Sequence, residues 1–106
     1  MITSTANQQV KQLIQLNKKG KLRNAQDVFV VEGPRMFREA PGDRIEKIYL
    51  SETYFKSQWK EKEAEAPWEV VQDSVFKAMC DTQTPQGILC LVKQYHYSLP
   101  DLLKRE

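Results

Sequence analysis

The feature that most limits the possible folds of this sequence is its alternation of short apolar runs with segments of helical character. Four apolar runs, at residues 28–31, 45–50, 69–71 and 87–92, have the length and composition of strands. Helical patterns occupy about residues 7–17, 34–40, 53–65 and 73–79. Strands that alternate with helices predict an α/β fold with helices on both faces of one sheet. The strand order does not follow from the pattern.

Local signals predict where several of these elements begin and end. Residues 28–31 form a continuous apolar run, typical of a strand buried on both faces. Pro34 suits the first position of the helix that follows, and Asp73 with Ser74 suits the cap of a later one. Gly20 is a plausible end of the first helix, which makes residues 18–23 a basic connection. Hydroxyl N-caps for that first helix are offered by Thr3, Ser4 and Thr5.

Length and composition describe one folded domain. The chain has 106 residues, of which 41% are hydrophobic and 28% are charged, and this balance is unlike that of a disordered tail. No apolar run is long enough to span a membrane and no signal peptide opens the chain, so we expect a cytoplasmic protein. Cys80 and Cys90 have apolar neighbours and are expected to be buried thiols. With one histidine, a structural zinc site is not predicted.

The net charge of +2 is unevenly distributed. Residues 1–26 contain five basic side chains and no acid. Residues 1–40 carry a net charge of +4, whereas residues 41–106 carry −2. This segregation favours a polyanionic partner for the first third of the chain. The alternative is that these lysines and arginines are an ordinary solvated helix face.

The junction between the strand at 28–31 and the next helix is a candidate phosphate site. Gly33 allows close approach of the backbone, the helix N-terminus carries partial positive charge, and Arg35 and Arg38 add full charges. Glu32 would repel a phosphate, so we expect it to orient an arginine or a ribose hydroxyl. A tight turn with a good helix start explains the same residues equally well.

Two further segments suit contact with nucleic acid. In the basic connection Lys18, Lys19, Lys21 and Arg23 can each contact the phosphate backbone, and the planar guanidinium of Arg23 can also stack on a base. The polar residues at 81–87 can hydrogen-bond an unpaired base or a 2′-hydroxyl. Their Thr-Pro-Gln-Gly sequence is also suitable for a turn before a strand.

Catalytic constellations are not found in this sequence. A triad would need His96, which lies between two tyrosines in a segment resembling a linker. Most carboxylates alternate with lysines in stretches that suggest exposed helix, as at residues 60–63. Dinucleotide and P-loop glycine motifs are missing. The chain alone is therefore not predicted to be an enzyme, and no metal or cofactor site is predicted in it.

Three short motifs together resemble the SpoU (TrmH-type) RNA ribose 2′-O-methyltransferases. The first is Ile2-Thr3-Ser4 with Asn7 and Val10-Lys11 following. The second combines Lys21-x-Arg23, Phe29 and Glu32-Gly33. The third is the run Asp81-Thr82-x-Thr84-Pro85-Gln86-Gly87-Ile88. They occur in the family's order and at similar spacing, and the resemblance extends over about residues 2–93.

The resemblance implies the N-terminal substrate-binding domain of that family. Its fold is a three-layer α/β/α sandwich with a mixed sheet of about four strands, like the ribosomal proteins that bind kinked RNA. S-adenosylmethionine would be bound by a following knotted domain, whose motifs are not in this chain. Residues 1–94 are then the RNA-binding domain, residues 95–106 a linker toward the catalytic domain, and the sequence a piece of a longer protein.

Together, the residues and the resemblance predict a module that presents structured RNA, ribosomal or transfer, to a methyltransferase domain. The alternatives are a stand-alone RNA-architectural protein and a protein-interaction or dimerisation module with an exposed apolar patch around Tyr54, Phe55 and Trp59. The chain is expected to be monomeric and the whole protein to dimerise through its other domain. Predicted RNA-binding residues are Asn7, Lys11, Lys18, Lys19, Lys21, Arg23, Glu32, Gly33, Arg35, Arg38, Thr84, Pro85 and Gln86.

Overall fold

A mixed four-stranded sheet is the centre of the fold. The structure is a computed structural model that describes residues 1–59, 66–80 and 85–94. The strands are β1 (Val28–Glu32), β2 (Ile45–Ser51), β3 (Trp68–Val71) and β4 (Ile88–Lys93). Their order across the sheet is β1-β4-β2-β3. β4 is antiparallel to both of its neighbours, whereas β2 and β3 are parallel.

Helices cover both faces of this sheet. They are α1 (Gln8–Lys18), α2 (Gly20–Gln26), α3 (Pro34–Glu39), α4 (Glu52–Ser57) and α5 (Asp73–Met79), with a 3₁₀ turn at Gly42–Arg44. α1, α2 and α5 pack on one face, and α3 and α4 on the other. The predicted α/β/α sandwich with a mixed sheet of four strands is therefore confirmed. No helix in the described ranges is long and apolar enough to cross a membrane.

The two faces of the sheet have separate cores. On the first face, buried side chains of α1 and α5 meet the inward residues of all four strands; the most completely enclosed are Val10, Leu13, Leu16, Val71, Phe76, Met79 and Leu89. Ile2 joins this core, because its backbone bridges to Val71 at the outer edge of β3. Burial of this apolar surface drives the packing of the helices onto the sheet.

The second core is rich in aromatic rings. Trp68 lies 5.5 Å from Phe55 and 5.8 Å from Trp59, between ring centroids, and Trp59 is a further 5.8 Å from Phe37. Tyr54 is buried beneath them. The residues proposed for an exposed interaction patch therefore pack inside the fold, and both tryptophans are half-buried.

The first helix begins and ends differently from the sequence-based expectation. Asn7, not Thr3, Ser4 or Thr5, is its N-cap, and the Asn7 side chain accepts a hydrogen bond from the Gln9 N–H at 2.8 Å. Asparagine is among the best N-cap residues because its oxygen satisfies a free helix N–H. The helix continues to Lys18.

The predicted basic connection at residues 18–23 is wrong, because most of it is helical. The backbone leaves helical geometry at Lys19, and Gly20 begins α2 instead of ending α1. α2 ends at Asp27, which adopts the left-handed conformation with φ of 59°. Aspartate tolerates this conformation better than most side chains, so the chain turns directly from α2 into β1.

Three other expectations need correction. β1 is an edge strand of the described sheet, and Phe29 is 47% exposed, so the strand is not buried on both faces. The fourth helix ends at Ser57 in the structure, and residues 60–65 of its predicted extent lie outside the described residues. Gln72 occupies the N-cap position of α5, and Asp73 is its first helical residue. The predicted linker at 95–106 also lies outside the described residues.

One edge of the sheet collects the chain segments that carry polar side chains. β1, β2 and β3 end at this edge and β4 begins there, and we call it the carboxyl edge. The connections after β2 and β3 leave it toward opposite faces, because α4 packs in the second core and α5 in the first. In open α/β sheets, a crevice at such a switch point is the usual place for a ligand.

Candidate nucleic-acid interface

Exposed lysines surround the junction of α1 and α2. Lys18, Lys19 and Lys21 are all exposed, and with Arg23 they form what we call the basic corner. No acidic residue precedes Asp27 in the sequence, so this positive charge is not neutralised by its chain neighbours. Such a concentration of cations is suited to a phosphate backbone.

Arg23 has a structural task that the sequence did not reveal. Its guanidinium Nη1 donates hydrogen bonds to the carbonyl oxygens of Leu16 at 2.6 Å and Asn17 at 3.1 Å. The last carbonyls of a helix have no partner within the helix, and a basic side chain often satisfies them. The half-buried Arg23 therefore closes the end of α1, and its charge is only partly free for a ligand.

Arg23 and Glu32, both predicted site residues, line one cavity. The cavity measures about 300 Å³ and is bounded by Asn17, Arg23, Val30, Glu32 and Leu89. Glu32 lies at the end of β1 on the same face as Val30, and this direction turns its carboxylate toward α1 and α2. The cavity thus combines a cation, an anion and an amide beside the carboxyl edge, a set that can both donate and accept hydrogen bonds.

Glu32 connects β1 to the segment before β4. Its carboxylate accepts a hydrogen bond from the backbone N–H of Gln86 at 3.0 Å. It also lies within hydrogen-bonding reach of the Cys80 thiol, and burial together with this carboxylate raises the pKa of Cys80 to about 12. Burial alone raises the pKa of Cys90 to about 12. Both thiols therefore stay protonated near neutral pH, when neither is a ready nucleophile.

The predicted phosphate corner at the start of α3 is occupied by a protein side chain. Gly33 has a φ of 103°, and a Cβ added to it would lie 2.8 Å from Oε1 of Gln86. Arg35 is paired with Glu39 at 3.3 Å, and its side chain is 88% exposed. Arg38 is exposed on the same helix. Gly33 is needed for its backbone conformation and for the packing of Gln86.

The structure does not bring every predicted residue to this site. Asn7 caps the opposite end of α1, about 15 Å from the basic corner along the helix. Lys11 is exposed on that distant half. Pro85 and Gln86 lie at the carboxyl edge, whereas Thr84 lies outside the described residues.

A crevice between α4 and α5 was missed by the sequence analysis. It measures about 300 Å³ and is lined by Ser51, Thr53, Tyr54, Ser57, Gln58, Asp73, Phe76, Lys77, Pro85, Gln86 and Gly87. The backbone N–H and the hydroxyl of Thr53 both donate to the carboxylate of Asp73, at 3.0 and 2.5 Å. No local pattern predicts this pairing, because the two residues are 20 positions apart in the sequence. Gln86 lines this crevice, and its backbone N–H is bound by Glu32, which lines the Arg23 cavity.

The Asp73 carboxylate gives the fold a predictable acid dependence. Hydrogen bonds from Thr53 hold its pKa below the usual 3.8. A carboxyl whose pKa is lower in the folded state stabilises the fold above its unfolded pKa, and that contribution is lost as the pH falls through the folded pKa. Asp73→Asn should therefore lower the free energy of unfolding near neutral pH, while the difference from the wild type shrinks as the pH falls below 3.8 and through the lowered pKa of Asp73.

Urea unfolding at a series of pH values measures this difference. Asp43→Asn is the matched control, because Asp43 is an exposed carboxyl in the 3₁₀ turn. It should shift the curve far less than Asp73→Asn does. Identical pH profiles for the Asp73→Asn variant and the wild type would contradict the assignment.

Comparison with protein families identifies the relationship. Residues 7–90 match the family model of the MRM3-like substrate binding domain. The chain belongs to that family. The match includes α1, the basic corner, the Arg23 cavity and the segment from Pro85 to Gly87, so the predicted resemblance to the substrate-binding domain of SpoU-type methyltransferases is confirmed. A comparison with curated proteins found no match.

Solved structures share the fold. An RNA 2′-O ribose methyltransferase is 26% identical with a TM-score of 0.67, over 92% of this chain and 39% of that one. An AdoMet-bound rRNA methyltransferase from Sinorhizobium meliloti is 19% identical with a TM-score of 0.71, over 94% and 38%. The SpoU methyltransferase AviRb from Streptomyces viridochromogenes, in complex with AdoMet, is 11% identical with a TM-score of 0.61, over 89% and 38%. The chain thus spans less than two fifths of each of these proteins.

Proposed function

We propose that this domain binds structured RNA and presents it to a ribose 2′-O-methyltransferase. Ribosomal RNA is the first candidate substrate. The observation that carries the proposal is the basic corner, with Lys18, Lys19 and Lys21 exposed beside the carboxyl edge of a substrate-binding fold. Such lysines supply affinity for phosphates, whereas groups at the edge supply selectivity for RNA shape. Transfer RNA is the second candidate substrate.

The carboxyl edge offers a path for an RNA strand. It leads from the basic corner past the Arg23 cavity and Gln86 to the crevice. The negative charge of Asp73 disfavours a phosphate inside the crevice, whereas hydroxyl and amide groups from Ser57 and Gln58 suit the base or ribose of an unpaired nucleotide. We therefore place phosphates at the lysines and an unpaired nucleoside near α4 and α5.

Methyl transfer is assigned to polypeptide outside this domain. The described residues do not fit S-adenosylmethionine, because neither glycine of positive φ has open space beside it for a ligand. A Cβ added at Gly33 would lie 2.8 Å from the Gln86 side chain, and one added at Gly87 would lie 2.7 Å from the Tyr54 side chain. We propose that residues 1–94 form the RNA-binding domain and 95–106 the linker. We also propose that the domain is monomeric, that the whole protein dimerises elsewhere, and that it acts in the cytoplasm.

A salt titration with a structured rRNA fragment tests the proposal. Each phosphate contact contributes about 0.7–0.9 to the slope of log affinity against log salt. The Lys18→Ala/Lys21→Ala variant should therefore flatten that slope by roughly 1.4–1.8. Arg23 is left intact because its loss would disturb the end of α1.

Lys47→Ala/Lys93→Ala is the matched control, with the same change of charge. Lys47 lies in the first half of β2 paired with Glu69, and Lys93 ends β4 at the opposite edge of the sheet. This variant should keep the wild-type slope, and duplex DNA should compete poorly with the RNA. An equal slope change in both variants would mean that the basic corner is not the contact surface. No binding by the wild type at low salt would refute the function.

A further inference from the structure

Asn17, which no sequence motif identified, lies where three segments meet. Its side-chain amide Nδ2 donates a hydrogen bond of 2.6 Å to the carbonyl oxygen of Met79, at the end of α5. Its own carbonyl oxygen accepts the hydrogen bond from Arg23 of α2. Asn17 thus joins the last turn of α1 to α2 on one side and to α5 on the other.

The connections continue from α5 to the carboxyl edge. Cys80 follows Met79 in the chain and lies against the Glu32 carboxylate, which in turn holds the backbone N–H of Gln86. A continuous series of contacts therefore runs from the basic corner through Asn17 to the segment at Gln86. The Asn17 amide thus adds a directed polar contact to the apolar packing of α1 on α5, and it lies on the route that joins the two surfaces assigned to RNA.

Fixed spacing matters for a ligand that touches two surfaces at once. Once the ligand has bound one surface, its binding to the second surface is an intramolecular step. The effective concentration for that step depends on how well the distance between the two surfaces matches the ligand. A preorganised pair of surfaces also loses less conformational freedom on binding. A folded RNA has its own fixed shape and gains affinity from this match. A uniform duplex that is held by phosphate contacts alone gains little affinity from it.

We propose that Asn17 is a positioning residue: its hydrogen bond to Met79 sets the distance between the basic corner and Gln86, and so makes the domain prefer shaped RNA over plain duplex. This inference rests on the proposed function. Asn17 and Arg23 act within the protein, and the exposed lysines make the phosphate contacts.

The test compares affinity for a structured rRNA hairpin containing unpaired nucleotides with affinity for a blunt RNA duplex of equal length. Asn17→Asp keeps the shape of the side chain and removes the N–H donor to Met79. We expect the preference for the hairpin to fall about tenfold, while the salt slope for the duplex stays at the wild-type value. Loss of folded protein alone would lower both affinities equally and leave their ratio unchanged.

Gln15→Glu is the matched control, because it makes the same amide-to-acid change at an exposed position of α1. It should leave the hairpin preference unchanged. Asn17→Ala removes the donor without adding charge and should give the same tenfold fall if Asn17→Asp does not fold. An unchanged preference in the folded Asn17 variant, together with a flattened slope in Lys18→Ala/Lys21→Ala, overturns the positioning role and leaves RNA binding intact. Absence of RNA binding by the wild type overturns both.

Discussion

Replacing Gly87 with alanine is expected to lower the free energy of unfolding by about 3 kcal/mol. Gly87 has a φ of 92°, which side chains rarely adopt, and an added Cβ would lie 2.7 Å from the Cβ of Tyr54 and 3.0 Å from Oγ of Ser51. The Gly87 carbonyl also accepts the N–H of Ser51, so the backbone cannot move away without breaking this bond. Urea denaturation followed by circular dichroism measures the loss.

Gly20→Ala is the control for this substitution. Gly20 lies in the first turn of α2, and the nearest group to an added Cβ is Nη2 of Arg23 at 3.5 Å, an ordinary contact. Alanine favours helix over glycine by up to about 1 kcal/mol, so this variant should be as stable as the wild type or slightly more stable. Equal stability of both alanine variants would show that the backbone at Gly87 is not restrained as described.

Replacing Phe76 with alanine is expected to cost about 3–5 kcal/mol of unfolding free energy. The ring is 1% exposed and packs in the first core between α1, α5 and the sheet. Its removal leaves a cavity that the neighbouring side chains fill only in part. Because a domain of this size has a total stability of about 5–15 kcal/mol, the variant should be close to unfolding at moderate temperature.

Phe29→Ala provides the comparison, since it removes the same side chain from an exposed position. Phe29 is 47% exposed on the edge strand β1. Its loss should change the unfolding free energy by less than about 1 kcal/mol. Thermal denaturation of the two variants side by side should therefore give widely separated midpoints. Similar midpoints would contradict the placement of Phe76 in the core.

The sequence was sufficient to predict the strands but not their environment. Each apolar run became a strand, because β-branched residues between turn signals leave few alternatives. The run at β1 was expected to be buried on both faces, yet Phe29 is exposed. Whether a strand lies at the edge depends on its order in the sheet, and that order is fixed by long-range packing which no local pattern records.

The positive charge of the candidate site could be predicted from the sequence, but the geometry of the site could not. The lysines of the basic corner were identified from composition, and they are exposed as expected of charged side chains. The helical conformation of α2 was missed, because Gly20 is a common helix terminator. The hydrogen bonds that engage Arg23 come from carbonyls at the end of α1, so they exist only after α1 and α2 have packed.

Contacts between distant segments account for most of what the sequence did not show. The pairing of Thr53 with Asp73 joins the ends of β2 and β3, and the contact of Glu32 with Gln86 joins β1 to the start of β4. Both depend on the sheet bringing these ends to one edge. The motif at Glu32 and Gly33 had suggested a phosphate site or a folding role, and the observed contacts of both residues are made within the protein.

The most direct test of RNA recognition at the carboxyl edge is an NMR titration of the isotope-labelled chain with a structured rRNA fragment. We expect backbone amide shifts at Lys18, Lys19 and Lys21 and at Gln86 and Gly87, with little change at Lys93 on the opposite edge. Shifts centred on the opposite edge, or none at all with excess RNA, would contradict the account.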